Sequence, residues 1–510
     1  MLMPIFNRMM KSYLVRRTER IDYSIRHPYQ TQEMTLRYLI NEARNTEWGI
    51  IHKYGKIKNF DQYCTHVNVQ DYESLKPFIF RMLEGEPDIL WPSPIRWFAK
   101  SSGTTDDKSK FIPVSRQSLA YTHYRSGKDL MAFYIRNNPS TEVFTGKCIV
   151  LSGSVSSSQP QSRTMSGDIS GILIRNLEWW INSMRAPKKE ISLMPDWEEK
   201  IDRIIKETRN QHITYLSGVP SWMLVMANKM LEYTGKKDLH DVWPQLELFI
   251  HGAVNFAPYR ESFKKVISSP GMKYYESYNA SEGFFAMQDN NMQGDMLLMM
   301  DYGIYYEFIP FDEIGKDNPR TLTLREVELD KNYALVISTN AGLWRYMIGD
   351  TIKFTSLHPF RVAITGRTRH FINAFGEELV VENADKAIEY TTRITNSQIR
   401  DYTVAPIYQH DGLAGAHEWL IEFEQPPADL NAFINLLDDR LMQLNSDYEA
   451  KRKGNLALGK PIVRIMPPNT FYNWMKKRGK LGGQHKVPRL ANHREYVDDI
   501  LRDAGIYFNY

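Results

Sequence analysis

The chain has 510 residues, too many for one ordinary domain; at about 150 residues per domain, length alone suggests roughly three units or two large ones. Hydrophobic residues make up 42% and charged residues 24%, the mix of a globular protein that can bury a large core without disulfides or metals. The balance of 64 basic against 60 acidic residues leaves a formal charge of +4, which argues against a dedicated nucleic-acid binder and still allows a local cationic site.

There are two cysteines, Cys64 and Cys148, so a disulfide framework is excluded and a reducing compartment is expected. The first twenty residues mix apolar and basic side chains without the apolar core and small-residue cleavage site of a signal peptide. No stretch approaches the ~20 apolar residues that span a bilayer. The expectation is a cytoplasmic protein with no nucleic-acid or membrane partner, as a monomer or weak dimer.

In chain order, the first 90 residues read as mostly helical. Met34, Leu36, Leu39, Ile40 and Ala43 fit a helix over 33–44, and 74–84 repeats the pattern more briefly. From 95 to about 365, strand-like and helical runs alternate. Residues 147–155 (KCIVLSGSV), 246–252 (LELFIHG) and 334–338 (ALVIS) read as strands, and 222–231 as a helix. The Ser-rich 152–162 reads as a loop by composition. Such alternation favours an α/β domain, in which ligands collect beyond the C-terminal ends of strands. After Gly366 the texture changes. A helix is expected over 381–395, a half-buried strand over 419–423 and one long helix over 430–448. The expected division is a large domain over 1–366 and a small α+β domain over 367–510.

The sharpest local feature is 100–113, KSSGTTDDKSKFIP. Ser101, Ser102, Gly103, Thr104 and Thr105 offer five backbone N–H groups and four hydroxyls, beside Lys108 and Lys110. Successive N–H groups on a glycine-containing loop make an anion nest, so this run favours phosphate binding over an ordinary polar turn. The Walker A spacing is absent. Four further segments stand out: YNASEG at 278–283, GLWRYMIGD at 342–350, GRTRHFINAFGEEL at 366–379 and GGQHKVPR at 482–489. Taken singly, each has a plain reading: a surface glutamate, a turn aspartate, a linker, and a basic surface shared with Lys476, Lys477, Arg478 and Lys480. There is no CxxC, HExxH or GxSxG, and the 13 histidines show no metal-ligand spacing.

As an ordered set, these segments resemble the adenylate-forming superfamily. With SLKPFIFRMLEGEPDILWPSPIRWFAK and GLWRYMIGDTIKF around them, they are most similar to the GH3 acyl-acid amido synthetases, and FGEEL looks closer to bacterial relatives than to plant ones. The resemblance runs over about residues 30–490. It implies a large N-terminal α/β domain with mixed β-sheets flanked by helices, plus a smaller mobile C-terminal α+β domain turning on a hinge near Arg367. It makes Tyr278 an adenine partner with Asn279 beside it, where the family commonly has a small residue. It makes Ser281 a phosphate-side donor, Glu282 the Mg²⁺ ligand, Asp350 a ribose ligand and Arg367 a neighbour of ribose and hinge. It makes Lys486 the cation that stabilises the adenylation step. Arg345 either supports the site or forms a structural ion pair. The acyl pocket is expected from the 150–260 region, with Val219, Met223 and His251 as candidates.

The implied reaction uses ATP and Mg²⁺ to convert a carboxylic acid to acyl-AMP and pyrophosphate, then passes the acyl group to an amine, an amino acid being the expected acceptor. The alternatives are an acyl-CoA synthetase-type ligase and a catalytically inactive nucleotide-binding protein.

Overall fold

The computed structural model describes residues 2–101, 110–157, 164–253, 256, 259–292, 294–368, 371–372, 374–375, 377, 379–407, 415–452, 458–481 and 486–506. The chain forms two compact units. The first comprises Met1–Val254, Val266–Ile348 and Ile352–Ala363, and the second Asn255–Lys265, Gly349–Thr351 and Ile364–Tyr510.

The first unit opens with helices Leu2–Arg26, Pro28–Ala43 and Tyr72–Glu84. Pro28 starts its helix at a position where the missing N–H would have had no partner in any case. Leu36, Leu39, Ile40 and Ala43 then form the buried stripe. The third helix begins with a capping box: Asp71 accepts from the Ser74 N–H at 2.9 Å, and the Ser74 hydroxyl oxygen accepts from the Asp71 N–H at 3.1 Å.

The main sheet has a parallel run of five strands, side by side in the order Arg185–Ala186, Lys147–Val150, Ile213–Gly218, Leu248–Gly252 and Lys273–Ala280. Strands covered on both faces read as unbroken apolar runs, which is why CIV and LFI were legible. The sheet continues antiparallel through Gly283–Met287 and Met296–Leu298. It also takes in Ile304–Pro310, Asn332–Thr339, Tyr346–Leu357 and Phe360–Arg367.

A second sheet of four strands carries the antiparallel pair Trp97–Ser101 and Lys110–Val114. Trp97–Ser101 also lies parallel to Met165–Gly167. Here the Ser-rich run departs from its reading as a loop. Val155–Ser157 is a strand, paired antiparallel with Met165–Gly167, so a partner strand overrides serine's weak preference. Residues 158–162 of that run lie outside the described residues.

The second unit has a three-stranded sheet, Gln398–Ile407, Ala416–Gln425 and Ile462–Met466. Helices Val381–Ile394 and Leu430–Leu444 contribute Ile388, Phe433, Leu437 and Leu441 to a core with Trp419 and Ile421. The central strand is buried from Ala416 to Phe423, not half-buried as its alternation suggests. Its polar residues are buried with partners: Glu418 accepts from Arg464 at 2.9 Å and Arg494 at 2.8 Å, and His417 meets Glu377 at 2.7 Å. The expected long helix over 430–448 is broken. Leu430–Leu444 ends at Asn445, which is extended, and Ser446–Arg452 begins a new helix. The Asn445 carboxamide accepts from the Tyr448 N–H at 2.8 Å and donates to the Glu377 carbonyl at 3.0 Å. The apolar period runs through the break because both helices face one core.

Candidate functional site

In the first unit, site residues gather where the parallel strands end. Gly218 and His251 are register partners on neighbouring strands. Val219 follows Gly218 and caps the helix Pro220–Thr234, so the Met223 N–H bonds the Val219 carbonyl at 2.9 Å. A Cβ on Gly218 would lie 3.3 Å from Met223 Cε. Val219, Met223 and His251 are therefore brought together. Met223 is fully buried, and His251 nearly so, with its ring 5.4 Å from that of Phe249.

The next strand supplies the expected nucleotide residues. Gly252 pairs with Ser277, whose hydroxyl donates to the His251 carbonyl at 3.1 Å. A Cβ on Gly252 would sit 2.4 Å from the Ser277 carbonyl oxygen and 3.2 Å from Asn279 Oδ1, so this approach admits only glycine. Tyr278 and Asn279 end the strand Lys273–Ala280 and point to opposite faces. Asn279 is exposed. Tyr278 is buried with its ring 4.9 Å from Phe285, edge-on, in the core that also holds Phe98 and Ala99. Ser281, buried, and Glu282, half-buried, form the turn into Gly283–Met287.

Ser101 is the last residue of its strand and pairs with Lys110. Ser102, Gly103, Thr104, Thr105 and Lys108 lie outside the described residues. The Lys110 ammonium lies 5.5 Å from the centre of the Tyr72 ring.

Arg345 belongs to the interior. Its guanidinium donates to Glu307 at 2.7 Å, to the Val67 carbonyl at 2.6 Å and to the Thr321 hydroxyl at 2.6 Å, with both charged side chains buried. Of the two roles open to it in sequence, it takes the structural ion pair.

In the second unit, Asp350, Arg367 and Lys486 come together across 137 positions of sequence. Gly349, at φ 90°, is followed by Asp350, whose Oδ1 accepts from Arg367 Nε at 2.8 Å. The Thr368 N–H donates to the Gly349 carbonyl at 2.8 Å, and the Thr351 and Thr365 hydroxyls lie 2.9 Å apart. These bonds fix the aspartate against the arginine. Lys486 is exposed in surface area, yet protein atoms crowd its ammonium and displace much of its hydration. That burial, followed by repulsion from Arg367, holds its pKa down to about 8; Asp350 and Asp385 pull it up and Arg489 pushes it further down. Asp385 and Arg489 are neighbours that sequence reasoning passed over. Arg489 stood in the quoted GGQHKVPR, but its partners lie elsewhere in the chain.

Among the described residues, no three His, Cys, Asp or Glu side chains converge to hold a metal. Glu282 would offer one hard carboxylate to an Mg²⁺ that takes the rest of its shell from phosphate and water oxygens, as Mg²⁺ prefers. Among the described residues, no helix is long and apolar enough to cross a membrane.

Comparison with known proteins gives the family and the fold. Models of the GH3 family match residues 17–272 (N-terminal domain), 297–367 (central domain) and 382–495 (C-terminal domain). The chain is 23% identical to indole-3-acetic acid-amido synthetase GH3.3 of Arabidopsis thaliana, over 90% of this chain and 89% of that protein. It is 22% identical to jasmonoyl--L-amino acid synthetase JAR4 of Nicotiana attenuata, over 90% of each. Its fold matches that of GH3.15 acyl acid amido synthetase, with a TM-score of 0.77 at 16% identity, over 96% of this chain and 95% of that one. It also matches a 2-hydroxyisobutyryl-CoA ligase in its postadenylation state, with a TM-score of 0.60 at 12% identity, over 93% and 91%. The N-terminal model alone matches half of the chain and the other two follow it in order, so the chain belongs to the GH3 family.

Proposed function

We propose that the protein is an ATP-dependent acyl-acid amido synthetase. It adenylates a small carboxylic acid, releasing pyrophosphate, and transfers the acyl group to an amine, with an amino acid as acceptor. The support is the grouping of Asp350 and Arg367 with Lys486, which the resemblance assigned to one nucleotide and of which Lys486 lies far along the sequence from the other two.

The chemistry explains the inventory. A carboxylate is a poor electrophile because its oxygen leaves badly, and AMP leaves well. When carboxylate attacks the α-phosphorus, negative charge builds on the phosphoryl oxygens. A protonated Lys486 stabilises that charge, in the manner of any preorganised cation aimed at a transition state. Asp350 accepts from the ribose hydroxyls, with Arg367 holding its carboxylate in place. The hydroxyls and N–H groups of 101–105 and Ser281 hold the phosphates. Glu282 would hold Mg²⁺, which when bound offsets triphosphate charge. The acyl chain lies against Val219, Met223 and His251, at the strand ends where α/β folds place ligands. With its two cysteines free, the chain suits the reducing cytoplasm.

The test is ATP–pyrophosphate exchange across indole-3-acetic, jasmonic, benzoic and 2,4-dichlorophenoxybutyric acids, followed by acceptor trials with amino acids and coenzyme A. Acid-dependent exchange and an amide product are expected. ATP binding without exchange for any acid would favour an inactive nucleotide-binding protein. A thioester product would move the enzyme to the acyl-CoA ligases.

A further inference from the structure

Lys486 stands at the start of a segment that is fixed along both its backbone and one side chain. The Thr403 hydroxyl donates to the Pro488 carbonyl at 2.6 Å, and the Val404 N–H to the Arg489 carbonyl at 2.9 Å. The Ala491 N–H returns to the Val404 carbonyl at 3.1 Å, and Leu490 bridges Val404 in parallel sense. Residues 488–491 thus extend the edge of the second unit's sheet.

Arg489 ties this edge to a second element. Its Nη1 donates to the Asp401 carboxylate and, at 2.9 Å, to the Tyr402 carbonyl. Its Nη2 donates to the Tyr259 hydroxyl at 3.0 Å, and its guanidinium lies 4.4 Å from the centre of the Tyr402 ring. Tyr259, just before the helix Arg260–Val266, is buried and belongs to the second unit. The Tyr402 hydroxyl in turn donates to Asp385 at 2.5 Å. Only a planar fork reaches this set at once; an ammonium offers a point charge.

We propose that Arg489 is a positioning residue: pinned on Asp401, the Tyr402 carbonyl and the Tyr259 hydroxyl, its fork fixes the backbone three residues beyond Lys486 and so sets where that ammonium is held for adenylation. This rests on the reading of Lys486 given above. The groups facing the Lys486 charge are Arg367, Asp350, Arg489 and Asp385. Losing the fork releases Lys486 toward water.

Two measurements on the full-length enzyme test this. The first needs no substrate: acetic anhydride labelling of Lys486 against pH, read by mass spectrometry. The wild type should titrate near 8, and Arg489→Met should move the midpoint toward the ordinary 10.5. Arg489→Lys keeps the charge and loses the fork, so it should move too. A wild-type midpoint in Arg489→Lys would overturn the proposal, because charge alone would then account for the environment. Tyr259→Phe removes one acceptor, should shift the midpoint part of the way, and serves if the larger changes unfold the chain. The second measurement is pyrophosphate exchange, with indole-3-acetic acid tried first and otherwise the best acid of the panel above. Both Arg489 variants should lose roughly tenfold to a hundredfold in exchange, as small misplacements do. Amide formation from preformed acyl-adenylate should hold within about twofold. Equal loss in both half-reactions would mark a merely structural role. If Lys486→Ala itself leaves exchange intact, the reading of Lys486 fails, whatever the labelling of the Arg489 variants shows.

Discussion

Glu282 and Glu307 are the same side chain in two settings, with different expected consequences of removal. Glu282 is half-buried in the turn Ser281–Glu282. Glu282→Ala is expected to keep the chain folded, at a cost of about 1 kcal/mol. It should lower Mg²⁺-dependent pyrophosphate exchange by a factor on the order of a hundred or more. Unchanged exchange would remove Glu282 from the site. Glu307 is fully buried against Arg345. Glu307→Ala strands a guanidinium in the core, and breaking a buried pair in this way costs about 3–5 kcal/mol. The denaturant midpoint should fall accordingly, while ATP affinity of the folded fraction is kept. Sequence alone left Arg345 undecided because its partner lies 38 residues upstream on another strand. Pairings of that range are written in the fold and not in the motif.

At the scale of elements, the legible parts were those with a strong local period or an unbroken apolar run. Leu36, Leu39, Ile40 and Ala43 marked a helical face, and LFI and ALVIS marked buried strands. Asp350, Arg367 and Lys486 were legible as motifs, and their proximity was not. Three elements were misread for physical reasons. Val155–Ser157 gains its strand from a partner ten residues on. The strand at 416–425 hides its polar residues in ion pairs, so alternation mimicked a solvent face. The break at Asn445 leaves the apolar period intact, so only its cap reveals it. That cap has a measurable weight. Asn445→Ala removes the acceptor for the Tyr448 N–H and the donor to the Glu377 carbonyl, and should destabilise the second unit by about 1–2 kcal/mol. Hydrogen exchange should rise in 446–452 and around Glu377; unchanged protection there would mean the break is held by packing alone.

For the molecule as a whole, the charge that matters is set by placement, since a formal +4 over 510 residues says little about any one site. Lys486 carries the case. Its pKa of about 8 lies below the ordinary 10.5, so the folded state gives up that proton first. Protonated Lys486 therefore opposes folding below about pH 8, and the cost fades as pH rises through 8 toward 10.5. Water reaches the side chain, so the effect on stability is modest, and Lys486→Met should be slightly more stable than the wild type at pH 7 and equal to it at pH 11. The same titration divides the reaction. On the proposed role of Lys486 adenylation needs the ammonium, so its rate should be flat below about pH 8 and fall about tenfold per pH unit above it. Amide formation needs a neutral attacking amine and no cation at Lys486, so from preformed acyl-adenylate its rate should rise over the same interval. The two half-reactions should thus respond to alkali with opposite slopes, and in Lys486→Ala the falling limb of adenylation should vanish along with most of the rate. A shared falling limb in both half-reactions would show that alkali acts on something common to them, such as the fold, and would remove Lys486 from the first step.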